Sequence, residues 1–230
     1  MAALIIVGVV VVVGVIAWLA YQRNKKHREQ LAGWAASKGW TYAERDDSYC
    51  DRWSGSPFGQ GHSRKAKNVM CGTYANRDAV VFDYQYNETT NDSNGTHETT
   101  YRFGVYALAL PCALPTVSVA PEGFFTKIGH AVGIHDIDLE SEDFNRAFRL
   151  TADDKKLAYD VLPARNMQLL LSQPDIHVRT QGSYLLAFDR RWLNMTLVER
   201  RLAVMGQFVD QIPGFVWDDH GAGSHEGSTR

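Results

Sequence analysis

The chain opens on an unbroken apolar run: Ala2 to Tyr21 hold no charged side chain and are mostly Val, Ile, Leu and Ala. At about 1.5 Å of rise per residue, a helix of that length matches the roughly 30 Å hydrocarbon core of a bilayer. The pattern predicts a transmembrane anchor over 1–22, with Trp18 and Tyr21 placed for the interface. A cleaved signal peptide fits less well. No Lys or Arg precedes the run, and Ala17-Trp18-Leu19-Ala20-Tyr21-Gln22 is a poor processing site. A basic juxtamembrane helix is expected over 23–39, ended by Gly39 in the left-handed conformation. Leu31, Trp34 and Ala35 share one face of it, so this stalk should pack on the domain that follows.

From residue 40 the period changes. Trp40-Thr41-Tyr42 is a short strand candidate, and 44–64, punctuated by Gly55, Pro57, Gly59 and Gly61, reads as a long loop. Residues 67–75 and 79–87 predict a hairpin around Asn76-Arg77-Asp78. In its second strand Val80, Phe82, Tyr84 and Tyr86 alternate with Val81, Asp83 and Gln85. Glu88 to Glu98 is polar and turn-rich, an expected exposed, mobile hairpin loop. Residues 99–110 form the next strand, broken by Pro111 and Pro115, with Thr116 to Ala120 as a possible short addition. Further expectations are a short helix over 123–133 and strands over 135–139 and 144–151. A helical stretch over 151–173 starts at a Thr151-x-x-Asp154 cap and is divided by Pro163. A hairpin turning at Gln181-Gly182-Ser183 follows. The last helix has a Thr196-x-x-Glu199 capping box and the face Val198, Leu202, Met205, Phe208, Val209 and Ile212. Together these predict an α+β fold: an N-terminal transmembrane helix, then a mainly antiparallel sheet domain (40–213) with helices late in the chain. Residues 214–230 are expected to be a disordered tail, and a domain boundary near 122 is conceivable.

Charge refines the picture. The formal net charge of −2 argues against general nucleic-acid binding. Residues 1–67 nevertheless carry ten Lys and Arg against five Asp and Glu. The basic residues beside the span (Arg23, Lys25, Lys26, Arg28) all lie C-terminal to it, which predicts a cytoplasmic domain by the positive-inside rule. A basic membrane-proximal part suits anionic headgroups, each cation near such a surface contributing about 1 kcal/mol. Cys50, Cys71 and Cys112 are too few and too scattered for a disulfide framework or a zinc site. The Asn-x-Ser/Thr sequences at Asn87, Asn91, Asn94 and Asn194 would matter only in an exported eukaryotic domain.

Four groups of residues are weighed for chemistry. Gly59 to Lys67 combines glycines with Arg64, Lys65 and Lys67, a phosphate or lipid-headgroup candidate that lacks the Walker spacing. His130, His135, Asp136 and Asp138, followed by Glu140, Glu142 and Asp143, form a metal candidate without the EF-hand or HExxH pattern. Asp136, Asp138 and Glu140 could equally be the wet face of a strand whose other face is Ile137 and Leu139. Ser54, Ser56 and Ser63 carry no nucleophile-elbow motif, and Cys71 reads as a small buried side chain. The aromatic set Trp34, Trp40, Tyr42, Tyr49, Trp53 and Phe58 is expected to pack the core, or to rest at the membrane interface beside Arg45 and Arg52.

From Phe144 to Leu171 the chain reads FNRAFRLTADDKKLAYDVLPARNMQLLL. This resembles the core pattern of an uncharacterised bacterial family of membrane-anchored proteins, a domain of unknown function. Its pattern is an F-x-x-x-F strand, acidic residues, an A-x-x-x-L helix, a Pro and a Met-Leu-rich helix. The matching positions are Phe144, Phe148, Asp153, Ala158, Leu162, Pro163, Met167 and Leu170. The anchor, basic run and Trp-containing helix resemble actinobacterial members. The resemblance implies a bacterial membrane protein and brings no activity, cofactor or catalytic residue.

The leading expectation is a non-enzymatic, single-pass membrane protein whose domain binds anionic lipid or a partner protein, without a cofactor. The alternatives are a membrane-associated metal-assisted hydrolase using the His130–Asp138 group, and an envelope-facing module of reversed topology.

Overall fold

The computed structural model describes residues 2–92, 95–122, 124 and 137–221, with side chains from Val11 onward. A single helix, α1 (Ala2–Ser37), joins the two expected segments, passing without a break from the apolar run into the basic stretch. Among the described residues no helix is long and apolar enough to cross a membrane. The described side chains of the apolar run begin at Val11, and Val11 to Tyr21 rises only about 16 Å in a helix. Gly39 ends the helix with φ +71°, as the sequence predicts.

Among the described residues six strands form one antiparallel sheet: β1 (Thr41–Arg45), β2 (His62–Tyr74), β3 (Arg77–Asp92), β4 (Gly95–Pro121), β5 (Phe148–Ala152) and β6 (His177–Asp189). The order is β1-β2-β3-β4, and β4 carries β6 along its other edge and β5 at its far end. Since β4 binds all three strands around it, the chain does not divide near 122. β4 continues through Pro111 and Pro115 because its pairing with β6 is irregular between Ala109 and Val117, where the prolines fall. The β2–β3 turn is tighter than expected. Tyr74 pairs with Arg77, and Ala75 (φ +48°) and Asn76 (φ +62°) form a two-residue turn of the type that matches strand twist.

The hairpin expected at 88–98 is present, but its arms pair as a polar β-ribbon instead of forming a loop. Glu88 pairs with Thr99, Thr90 with His97 and Asp92 with Gly95. Likewise β6 is one strand through Gly182 (φ +55°) rather than a hairpin. The strand expected over 144–151 begins as α2 (Glu142–Ala147), capped by Ser141, so Phe144 is helical and Phe148 opens β5. The helix expected over 123–133 lies outside the described residues. Ile137 and Leu139 are buried as anticipated, but 137–139 joins no strand ladder.

Both faces of the sheet are covered. On one, Val80, Phe82, Tyr84 and Tyr86 meet Phe103, Val105, Leu186 and Phe188 beneath the segment 46–61, which contributes Trp53 and Phe58. The period-two pattern of β3 thus reads correctly, and the loop reading of 46–61 hides a lid of aromatic rings. On the other face lie α3 (Lys155–Val161), α4 (Ala164–Leu171), α5 (Met195–Asp210), α6 (Gly214–Gly221) and the last turns of α1. Asp154 caps α3, accepting from the amides of Lys156 and Leu157. Asn194 rather than Thr196 caps α5, accepting from Leu197 N at 2.9 Å. The anticipated face of α5 is buried throughout. α6 occupies part of the expected unstructured tail, since Val216 is buried and Trp217 packs on the core.

Candidate functional site

Leu31 and Ala35 are buried in the same core as Met70 of β2, which seats the end of α1 on the sheet. The turn at Gly39 then sends β1 back along the helix, and Arg28 pairs with Glu44. Residues before Arg28 therefore leave the domain toward the end of the sheet where Arg45 faces Lys67. Val11 to Tyr21 are exposed along that projecting length, including Trp18 and Leu19.

Strand alternation divides the basic residues expected to bind phosphate. From His62 onward they lie on a strand, with Gly59 and Gly61 in the loop that precedes it. Arg64 shares the parity of buried Ala66 and bonds Asp51 at 2.9 Å on the aromatic side. Lys65 and Lys67 face the helix side. Lys65 stands opposite Gln85, and Gln85 opposite Arg102; Lys67 Nζ donates to Gln85 Oε1 at 3.2 Å. Burial, then the neighbouring Lys65 and Arg45, lower the pKa of Lys67. On α1, Arg23, Lys25 and Lys26 are exposed, with Lys25 3.9 Å from Glu29.

The row is closed by residues whose charge pattern gives no clue to their meeting. β6 ends at Asp189, paired with Gly104, and Arg190-Arg191-Trp192 crosses over β4. Gly104 makes room for that crossing, because a Cβ there would lie 3.0 Å from Leu193 Cδ2 and 3.1 Å from the Arg191 carbonyl. Leu193 N is fixed by Asp83 Oδ1 at 2.8 Å. The crossing leaves a groove of about 440 Å³ lined by Thr100–Phe103 and Arg190–Trp192. Arg102 lies 5.6 Å from the centre of the Trp192 ring, and Arg191 bonds Asp175 at 2.9 Å. Among the described residues no carboxylate is within ion-pair distance of Arg102. A neighbouring depression of about 340 Å³ has Glu122, Asp175 and Asp189 in its wall beside Arg190 and Arg191, so it offers an anion less than the groove does.

Beneath the crossing lie buried polar groups. Arg201, 1% exposed, pairs with Asp189 at 2.7 Å and reaches Asp175 at 2.9 Å. Asp83 also accepts from Asn68 Nδ2 at 2.7 Å, and Tyr42 donates to Asn68 Oδ1 at 2.8 Å. Burial raises the Asp83 pKa to about 6, opposed by the bonds from Leu193 and Asn68. A Ser–His pair exists as well, Ser118 Oγ lying 2.9 Å from His177 Nε2. Both are buried, and Phe124 and Phe188 sit against the imidazole. Burial holds the His177 pKa well below its usual value, so the ring is neutral.

Of the metal candidates, His130, His135 and Asp136 lie outside the described residues. Asp138 is exposed, and its carbonyl accepts from Tyr159 Oη at 3.3 Å. Among the described residues no three His, Cys, Asp or Glu side chains gather as a metal site.

No protein-family model and no curated protein matches the sequence. The fold does match a solved structure. The crystal structure of the mycobacterial trehalose monomycolate transport factor A, TtfA, superposes with a TM-score of 0.60. The match covers 81% of this chain and 96% of that one at 14% identity, a likeness of fold alone. In the stretch that carries the family resemblance, Phe144 and Phe148 touch at 5.2 Å between ring centres, and Ala158, Leu162 and Leu170 are buried. That motif packs the core.

Proposed function

We propose that this protein is a single-pass membrane-anchored binding or scaffold module. Residues 2–21 enter the bilayer, and the domain is held on its cytoplasmic face against anionic headgroups or a membrane partner. The observation that carries the reading is that α1 leaves the domain at the end of the sheet bearing Lys65 and Lys67. The same helix bears Arg23, Lys25 and Lys26 between that end and the apolar run. One continuous helix couples the two, so an inserted N-terminus would hold these cations at the headgroup layer, where each contributes about 1 kcal/mol. The uncharged length 2–21 suits insertion, and the basic residues on one flank suit a cytoplasmic domain. Likeness of fold to a transport factor agrees with a membrane-associated or scaffold role.

Cell fractionation tests the anchoring. The full chain should remain in the membrane pellet after carbonate extraction, and a chain lacking residues 2–21 should not. A C-terminal reporter fusion should read cytoplasmic. A full chain released by carbonate overturns the anchor, and a C-terminus outside the cell overturns the orientation.

A further inference from the structure

We propose that the groove between Thr100–Phe103 and Arg190–Trp192 binds the phosphate-bearing headgroup of an anionic lipid. This inference rests on the membrane-anchored reading above. The groove is built rather than incidental. β6 stops at Asp189, so among the described residues β4 has no strand neighbour on that edge over Thr100–Phe103. Such an edge leaves backbone donors and acceptors open to a ligand. Three guanidinium groups border it, those of Arg102, Arg190 and Arg191.

These cations are not neutralised equally. Arg191 shares Asp175 with Arg201, and Arg190 donates to the Phe124 carbonyl while lying 4.5 Å from the ring centre of Phe124. Arg102 lies over the Trp192 face and opposite Gln85, with no carboxylate in ion-pair distance among the described residues. A guanidinium stacked on an indole keeps its in-plane donors free, and those donors match the oxygens of a phosphate in forked geometry. Trp192, 37% exposed, is amphipathic in the way that suits a membrane interface. Charge complementarity thus selects an anion, and the reach of α1 selects one carried by a lipid.

The test uses the full chain in non-ionic detergent, labelled with fluorotryptophan, the Trp192 resonance being assigned through Trp192→Phe. Dihexanoyl phosphatidylglycerol is titrated against dihexanoyl phosphatidylcholine and inorganic phosphate. The expected result is a saturable shift of the Trp192 signal with the anionic lipid alone. Arg102→Gln should weaken that binding about tenfold, the scale of one charge-assisted contact. Arg146→Gln, exposed on α2 and outside both the groove and the basic end of the sheet, should leave it unchanged. An equal response to inorganic phosphate would make this a free-anion site and overturn the lipid assignment. So would an equal response to the zwitterionic lipid, or an undiminished one in Arg102→Gln. If no probe shifts the signal while the chain still resists carbonate extraction, the groove inference falls and the anchor stands; loss of both removes both.

Discussion

Gly72 lies under the indole of Trp40, so close that a Cβ at position 72 would overlap the ring. Trp40 Nε1 also donates to the Thr73 carbonyl at 3.2 Å, and Trp34 meets the ring edge-on with centroids 5.4 Å apart. The turn from α1 into the sheet is therefore seated through one glycine. Gly72→Ala should destabilise the fold by about 1–3 kcal/mol, the usual cost of overpacking a filled site. In a chain of this size that lowers the melting temperature by about 2–12 °C. Trp40→Leu costs stability by itself, yet in the Gly72→Ala background it should recover part of the loss. Strict additivity in thermal melts of the four proteins would show that the overlap is not the cause.

Arg201 makes the second prediction. Its guanidinium is enclosed with Asp189 and reaches toward the surface through Asp175 and Gln173. Removing one member strands the other charge in the core, which costs about 3–5 kcal/mol, whereas exchanging both for apolar groups can be nearly neutral. Asp189→Ala should therefore lower the melting temperature by roughly 6–20 °C. Asp189→Leu combined with Arg201→Met should lie well above either single variant. A double variant as unstable as the worse single one would assign the loss to packing rather than to charge.

Period and capping made much of the sheet legible in the sequence. Val80 to Tyr86 alternated because their face is roofed with aromatic rings, and the α5 face read correctly because every position on it is buried. The polar ribbon was missed since its residues are exposed on both faces and carry no apolar alternation. Gly182 and Pro111 read as breaks, yet long strands absorbed them as a kink and an irregular pairing. The groove was illegible for another reason. Arg102 and Arg190 are 88 residues apart in the chain, and only the end of β6 brings them together. Asp83 looked like the wet position of an alternating strand because its partners, Asn68 and Leu193, are equally remote.

That buried carboxyl gives a pH prediction. The folded pKa of Asp83 is raised to about 6 from a reference of 3.8, chiefly by burial. Between those values the folded chain binds more protons than the unfolded one, so stability falls as pH rises. The loss approaches about 3 kcal/mol and is complete above pH 6. Asp83→Asn preserves an acceptor for Leu193 N, and its amide can donate to Asn68 once that side chain turns over. Urea unfolding of Asp83→Asn should lose the decline between pH 4 and 6 that the parent shows. An identical pH profile in both proteins would refute the assignment.

The ribbon beyond Glu88 supplies a last prediction. Its described side chains from Thr89 to Glu98 are exposed; Thr96 donates to Asn91 within the ribbon, while Thr89 and Glu98 also meet the exposed His62 of β2. The stacked rings of Tyr86 and Tyr101, 5.1 Å apart, close the core just inside it. Replacing residues 89–98 by Asn-Gly joins Glu88 to Thr99, which already face each other, through a two-residue turn suited to strand twist. Surface changes of this kind move stability by about 0.5 kcal/mol or less, so the melting temperature should shift by no more than about 2 °C. The trimmed chain keeps Arg102, Arg191 and Trp192, and should bind the anionic short-chain lipid as the parent does. A large drop in melting temperature would mean that the ribbon supports the sheet. A stable fold with weakened lipid binding would instead place the ribbon at the mouth of the groove.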